Sequence, residues 1–272
     1  MLMVLLLGVL IGVVLGLTGA GGGILGVPAL VAGLGWSMQQ AAPVALVAVA
    51  CSSAVGAFEG WRRGLVRYRA SLLMALAGVP FSSLGLWIAH QASQVWLTGL
   101  FAVAMLLAAG RMWRRHDELE RPSPGWARIN PETGRFDWNL ATAGLLGSIG
   151  ALTGLLTGLL GVGGGFVIVP ALRRFTNLSM HGVVATSLLT IALVGSGSVL
   201  SALAHGISMP AGITLGFAAA TALGALGGRW LSRRWSQAQV QRGFALVLMA
   251  VALGMLATVS YTHLTLPTIC SV

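Results

Sequence analysis

Eight mostly apolar runs, at about 2–19, 41–58, 69–89, 94–111, 140–160, 182–204, 209–230 and 241–259, dominate this chain. Each is close to the length of about 20 residues that carries an α-helix across a bilayer. Only 8% of residues are charged, where a soluble domain carries roughly a quarter. With a mean hydropathy of +0.88, the chain cannot cover a water-facing surface. It is read as an all-α polytopic membrane protein. Irregular backbone and open sheet edges do not face lipid, and the alternating ten-residue strands of a membrane barrel are absent.

The polar residues fall between these runs. The stretch from Arg111 to Asn139 is the one sizeable hydrophilic segment and holds five of the six acids. It separates a first transmembrane repeat, 1–111, from a second, 140–259, with 112–139 as linker. The net charge of +10 is all arginine, since the chain has no lysine. A pI near 11.7 would suit nucleic acid. Arginines confined to short gaps between spans read instead as topology determinants and headgroup anchors, so no nucleic-acid partner is expected. Cys51 lies in an apolar run and Cys270 in the tail, which suggests neither a disulfide nor a metal site. The opening MLMVLLLGVL lacks a basic n-region and an A-x-A site, so it reads as a retained first helix.

Self-comparison decides the architecture. TGAGGGILGVPAL at Thr18–Leu30 aligns with LGVGGGFVIVPAL at Leu160–Leu172, at an offset of 142 residues. The same offset pairs Gly8, Gly12 and Gly16 with Gly150, Gly154 and Gly158, Ser37-Met38 with Ser179-Met180, and Gly64 with Gly206. The expectation is two homologous four-span repeats, about eight transmembrane helices, each repeat opening with a Gly-broken helix. Glycines four apart line one helix face and let two backbones approach closely.

Gly21, Gly23 and Gly26 spell G-x-G-x-x-G, but a dinucleotide site needs a preceding strand and an acid about twenty residues on. Neither is present, and a Walker A loop would need a lysine. Three adjacent glycines at bilayer depth instead break a helix, since glycine holds helical geometry poorly. Short segments then restart, Ile24–Leu34 and Phe166–Leu172. Gly21, Gly22 and Gly23 in the first half, and Gly163, Gly164 and Gly165 in the second, are candidate substrate-binding positions. There, freed N–H groups and half-helix dipoles would face one another near the midplane and hold an anion.

At these residues the chain resembles the TauE/SafE family of sulfite exporters and related anion permeases. The paired L-x-G-x-G-G-G…P-A-L segments, Gly64-Leu65-Val66 and Gly206-Ile207 carry the resemblance, over about Leu6 to Met255. It implies an inner-membrane carrier of sulfite, a sulfonate or another small organic anion. The last residues, YTHLTLPTICSV, fit neither repeat nor family, and the segment 260–272 is read as a non-native or disordered tail.

Polar side chains inside spans are further candidates, because burying them in lipid is costly. Ser52, Ser53, Thr186 and Ser187 either donate to an anion's oxygens or bond their own helix carbonyls. Glu59, followed by Arg62 and Arg63, is either a coupling group or an interfacial ion pair. His181 and His205, which end short gaps in the second repeat, are the other coupling candidates. Arg173 and Arg174 would attract an anion at the mouth, opposite Val31 and Ala32 in the first repeat. No H-E-x-x-H, aspartate pair or Ser/Lys dyad argues for an enzyme, and no cofactor or metal is implied. The partners expected are a small anion and the lipid bilayer, with a homodimer left open.

Orientation has two solutions. With four crossings per repeat, the termini share one side with ten arginines and six lie opposite, which places the termini in the cytoplasm. With an odd number of crossings, the broken segment counted, the two halves are inverted.

Overall fold

The structure, a computed structural model, describes residues 1–114, 127, 136–207, 209–232 and 234–264. Most of the 112–139 linker and the end of the tail lie outside the described residues. In the first half α1 (Leu2–Thr18) leads through a 3₁₀ segment (Gly19–Leu25) into α2 (Gly26–Leu34), α3 (Met38–Arg62), α4 (Tyr68–Gln91) and α5 (Gln94–Arg114). The second half contains α6 (Leu140–Leu160), α7 (Gly165–Phe175), α8 (Met180–Ala204), α9 (Ala211–Ser232) and α10 (Gln237–Leu264). No strand occurs among the described residues, only an isolated bridge between Ala127 and Thr176.

Seven helices, α3 to α6 and α8 to α10, are long and apolar enough to cross a membrane. The expected eighth span, α1, has 17 residues and falls short of that length. Helix starts are set by side-chain caps. Ser37 and Gln40 form a capping box at α3, Ser179 accepts from the Gly182 N–H at α8, and Asn139 accepts from Thr142 at α6. α10 continues to Leu264, into the segment read as tail.

The two helix breaks differ from the expected unwinding. The first glycine run tightens into 3₁₀ turns, and only Gly19 takes a positive φ, 75°. The second is a turn in which Gly161, Gly163 and Gly164 have φ of 68°, 76° and 63°, a region closed to most side chains. The restarted segments accordingly run Gly26–Leu34 and Gly165–Phe175, rather than Ile24–Leu34 and Phe166–Leu172.

The glycine stripes join the two halves. A Cβ at Gly8 would lie 3.0 Å from the Phe217 carbonyl oxygen, and at Gly12 and Gly16 it would overlap the carbonyls of Thr221 and Ala225. Thus α1 packs along α9, and in parallel, since both numberings rise together. α6 packs along α4 in the same way, with Gly150, Gly154 and Gly158 against the carbonyls of Met74, Gly78 and Ser82. Between these helices α3 crosses α8, Gly60 against Ala185 at one end and Gly195 against Ala50 further along, so this pair is antiparallel.

These directions place every loop. The ends of α3, α5, α7 and α9 and the starts of α4, α8 and α10 share one face. The first residues of α1, the end of α2 beside Leu7 and Met3, and the α4–α5 and α8–α9 turns share the other. Of the two orientation solutions, these directions fit the inverted halves and not the split of arginines between two faces. All described arginines, Arg62, Arg63, Arg67, Arg69, Arg111, Arg114, Arg173, Arg174, Arg229, Arg234 and Arg242, sit at the first face. The even-crossing solution fails because the broken segments turn back on the helices before them, and each turn acts as a crossing in the count. Exposed Trp61, Trp113, Trp230 and Trp235 ring the arginine-rich end, and Trp87 and Trp96 the opposite one, as interfacial aromatics do.

Candidate functional site

α1 stops at Thr18, whereas its neighbour α9 continues through Arg229 to Ser232. Gly19, with ψ of −126°, turns the chain away at that point. The space beyond the end of α1 is a cavity of about 710 Å³ that opens at the arginine-rich face. Its walls are the ends of α3, α5 and α9, the outer face of α7 and the starts of α8 and α10. Along α8 it reaches from Met180 to Leu188, about 12 Å at 1.5 Å per residue.

Among the described residues, the charges around this cavity are unbalanced. Arg63, Arg111, Arg173 and Arg229 face one acid, Glu59, with His181 also on the wall. Arg229 lies deepest. Gly56 leaves it room, since a Cβ there would stand 2.8 Å from its Cζ. One guanidinium nitrogen donates to Glu59 Oε2 at 3.4 Å, and the other to the Ser52 carbonyl at 3.2 Å. Glu59 Oε1 also accepts from Arg63 at 2.6 Å, one turn along the same helix. Glu59 thus sits between a cation on its own helix and a cation from the other half. Arg229 was legible in principle: it falls within the apolar run 209–230, and a charge inside a span marks function more often than a charge in a loop. Read as part of an arginine-rich gap, it was missed, and so was Arg111.

The sequence candidates scatter around this centre. Thr18 and Gly19 line the cavity, but Gly22, Gly23, Gly163, Gly164 and Gly165 do not; the surroundings of Gly21 lie outside what the structure describes. The two breaks do meet. The Cβ direction of Gly23 leads to Val49 Cγ1 at 3.0 Å and the Val162 carbonyl at 3.1 Å, and that of Gly163 to the same valine at 2.8 Å and to Ile191 at 2.9 Å. Val49 and Ile191 fill the space between them. Gly22 backs onto Leu15 and Gly164 onto Thr153 and Thr157, each on its own preceding helix.

The hydroxyls are mostly spoken for. Ser52 donates to the carbonyl of Ala48 at 2.7 Å, and Ser187 to that of Val183. Thr186 accepts from the Arg67 N–H at 3.1 Å, and its carbonyl accepts from Ser71 at 3.0 Å, fixing α4 to α8. Ser53 Oγ is buried with no partner among the described residues. His181 reaches the cavity; His205, bonded to Ser201 at 2.7 Å, lies at the opposite face and cannot act with it.

An amphiphilic vestibule with surplus guanidinium among its described residues can draw in an anion and let it compete with a carboxylate. Two curated relatives, from Xylella fastidiosa strains 9a5c and Temecula1, are each named a probable membrane transporter protein. Each is 29% identical, over 254 and 249 residues, covering 90% of this chain and 91% of the relative. No solved structure matches significantly. The model of the family described as sulfite exporter TauE/SafE matches residues 4–255. With nearly its whole length matched, the chain belongs to the TauE/SafE family, a family of membrane transporters.

Proposed function

We propose that this protein is a secondary carrier of a small anion, sulfite or an organosulfonate, in the cell inner membrane. The single observation behind this reading is the charge around the cavity, four arginines against Glu59 among the described residues. An oxyanion entering there meets guanidinium forks matched to its geometry. The family's printed description, sulfite exporter, supports the choice of sulfur oxyanions.

The proposed architecture is two repeats of inverted direction, with α1 as an eighth crossing. The arginine-rich face lies in the cytoplasm by the positive-inside rule, so the cavity faces inward. The anion reaches Arg229 and Gly19 at the cavity floor, and the Gly22 and Gly164 breaks lie behind it as the midplane barrier. Glu59 is the coupling candidate, since it shares Arg229 with the incoming anion. Flux draws on an ion gradient or on the substrate's own.

The test is initial-rate flux in proteoliposomes of purified protein with sulfite, a short alkyl sulfonate, a carboxylate and an amine cation. Saturable movement of sulfite or the sulfonate, without movement of the amine, is the expected result. Saturable flux of the carboxylate alone would keep an anion carrier and remove sulfur from it. Saturable flux of the amine alone would end the anion reading.

A further inference from the structure

A second, much smaller cavity of about 10 Å³ lies at the opposite face, among the starts of α3 and α5 and the ends of α4 and α6. Its lining repeats that of the large cavity. At the 142 offset, Gln39 corresponds to His181, Ala42 to Val184, and Gly158 to Gly16. Along α4 and α9 the glycine contacts shift the offset by one residue, Met74 standing to Gly150 as Phe217 stands to Gly8. At that offset Leu86 corresponds to Arg229, and each lines its own cavity.

We infer that the small cavity is the shut counterpart of the large one, and that a second state of the chain opens it as the anion's release vestibule. The inference rests on the carrier reading and adds to it the site on the far side. Two hydrogen bonds hold this end closed. Gln39 Nε2 donates to the Ala92 carbonyl at 3.3 Å, and Gln94 Oε1 accepts from the Met38 N–H at 3.0 Å. Both tie the start of α3 to the turn between α4 and α5. The corresponding positions to Gln39 and Ala92 are His181 and Trp235, which stand on the walls of the open cavity.

The two vestibules differ chemically. The shut one has Gln39 and His90 but no arginine, and Leu86 replaces Arg229. A small oxyanion held by guanidinium at one face therefore meets only an amide, an imidazole and apolar surface at the other. Binding is tight where the anion enters and weak where it leaves.

The experiment is thiol accessibility, which needs no substrate. In a background lacking Cys51 and Cys270, Ala42→Cys and Val184→Cys are treated from each face with a membrane-impermeant anionic thiosulfonate. Val184→Cys is expected to react from the arginine-rich face and Ala42→Cys, more slowly, from the opposite one. Adding Gln94→Ala raises the Ala42→Cys rate by about fivefold, the shift in the equilibrium expected from losing one hydrogen bond, and lowers that of Val184→Cys only by the fraction of molecules moved. Gln39→Ala acts alike and serves if Gln94→Ala does not fold. An Ala42→Cys that stays unreactive in both backgrounds, or whose gain is accompanied by a rise at Val184→Cys, would overturn the inference. Reciprocal labelling with no anion flux would count against the carrier reading alone.

Discussion

Arg229 of α9 and Glu59 of α3 meet across the two halves of the chain at 3.4 Å, in a cavity where every other charged wall residue among those described is basic. On the proposed function, a carboxylate in that place occupies the position the incoming anion would need. Replacing Arg229 by Ala should lower flux at least about tenfold, one step of roughly 1.4 kcal/mol in transition-state binding, while Arg229→Lys keeps part of it. Glu59→Gln should do the reverse at the binding step. KM falls because the anion no longer displaces a carboxylate, and maximal rate falls because release slows. Concentration-dependent initial rates measure both, and an unchanged KM in Arg229→Ala would remove this residue from the site.

Gly12→Val and Gly154→Val should each lose most folded protein. Their side chains would enter the carbonyls of Thr221 and Gly78, and such overpacking costs about 1–3 kcal/mol or more. Gly147→Ala and Gly227→Ala, where no atom lies within 4 Å of the new Cβ, should gain stability from helix propensity. Size-exclusion profiles and melting temperatures in detergent separate the two groups.

Gly22→Val and Gly164→Val should both abolish transport while some protein still reaches the membrane. The cause is local. Gly22 sits against the Leu15 backbone, and Gly164 combines φ of 63° with the Thr153 methyl, so a branched side chain forces each break open. Near-normal flux in both variants would show that the breaks tolerate such a change.

Ser93→Cys and Arg69→Cys, placed at opposite faces and freed of Cys51 and Cys270, test the orientation. In intact cells an impermeant maleimide should label Ser93→Cys and leave Arg69→Cys unlabelled until lysis. The reverse pattern would turn the carrier over.

The helices themselves could be read from hydropathy, and the pairing of glycine stripes from their spacing, because both follow from local periodicity. Direction could not. Whether Gly19 to Leu34 counts as a crossing depends on where α2 points after the break, and TGAGGGILGVPAL is compatible with either answer. Which of the two readings of the hydroxyls holds was illegible for a related reason. Ser52 and Ser187 satisfy themselves on their own helices, and nothing local distinguishes that from a side chain aimed at a ligand. The Arg229–Glu59 pair was illegible because it joins positions far apart in the chain, and only the packing of α9 on α3 brings them together.

The interleaving of α1 with α9 also bears on how the protein is made. The partner of Gly12 is Thr221, so the first helix enters the membrane long before its packing surface exists. A nascent chain ending anywhere before α9 leaves a glycine-faced helix against lipid or against the insertion machinery, with backbone carbonyls at the surface and no mate to cover them. The N-terminal half therefore cannot mature as a unit during synthesis, as independent domains do. Its first helix is held in waiting, and assembly completes only when the other half arrives.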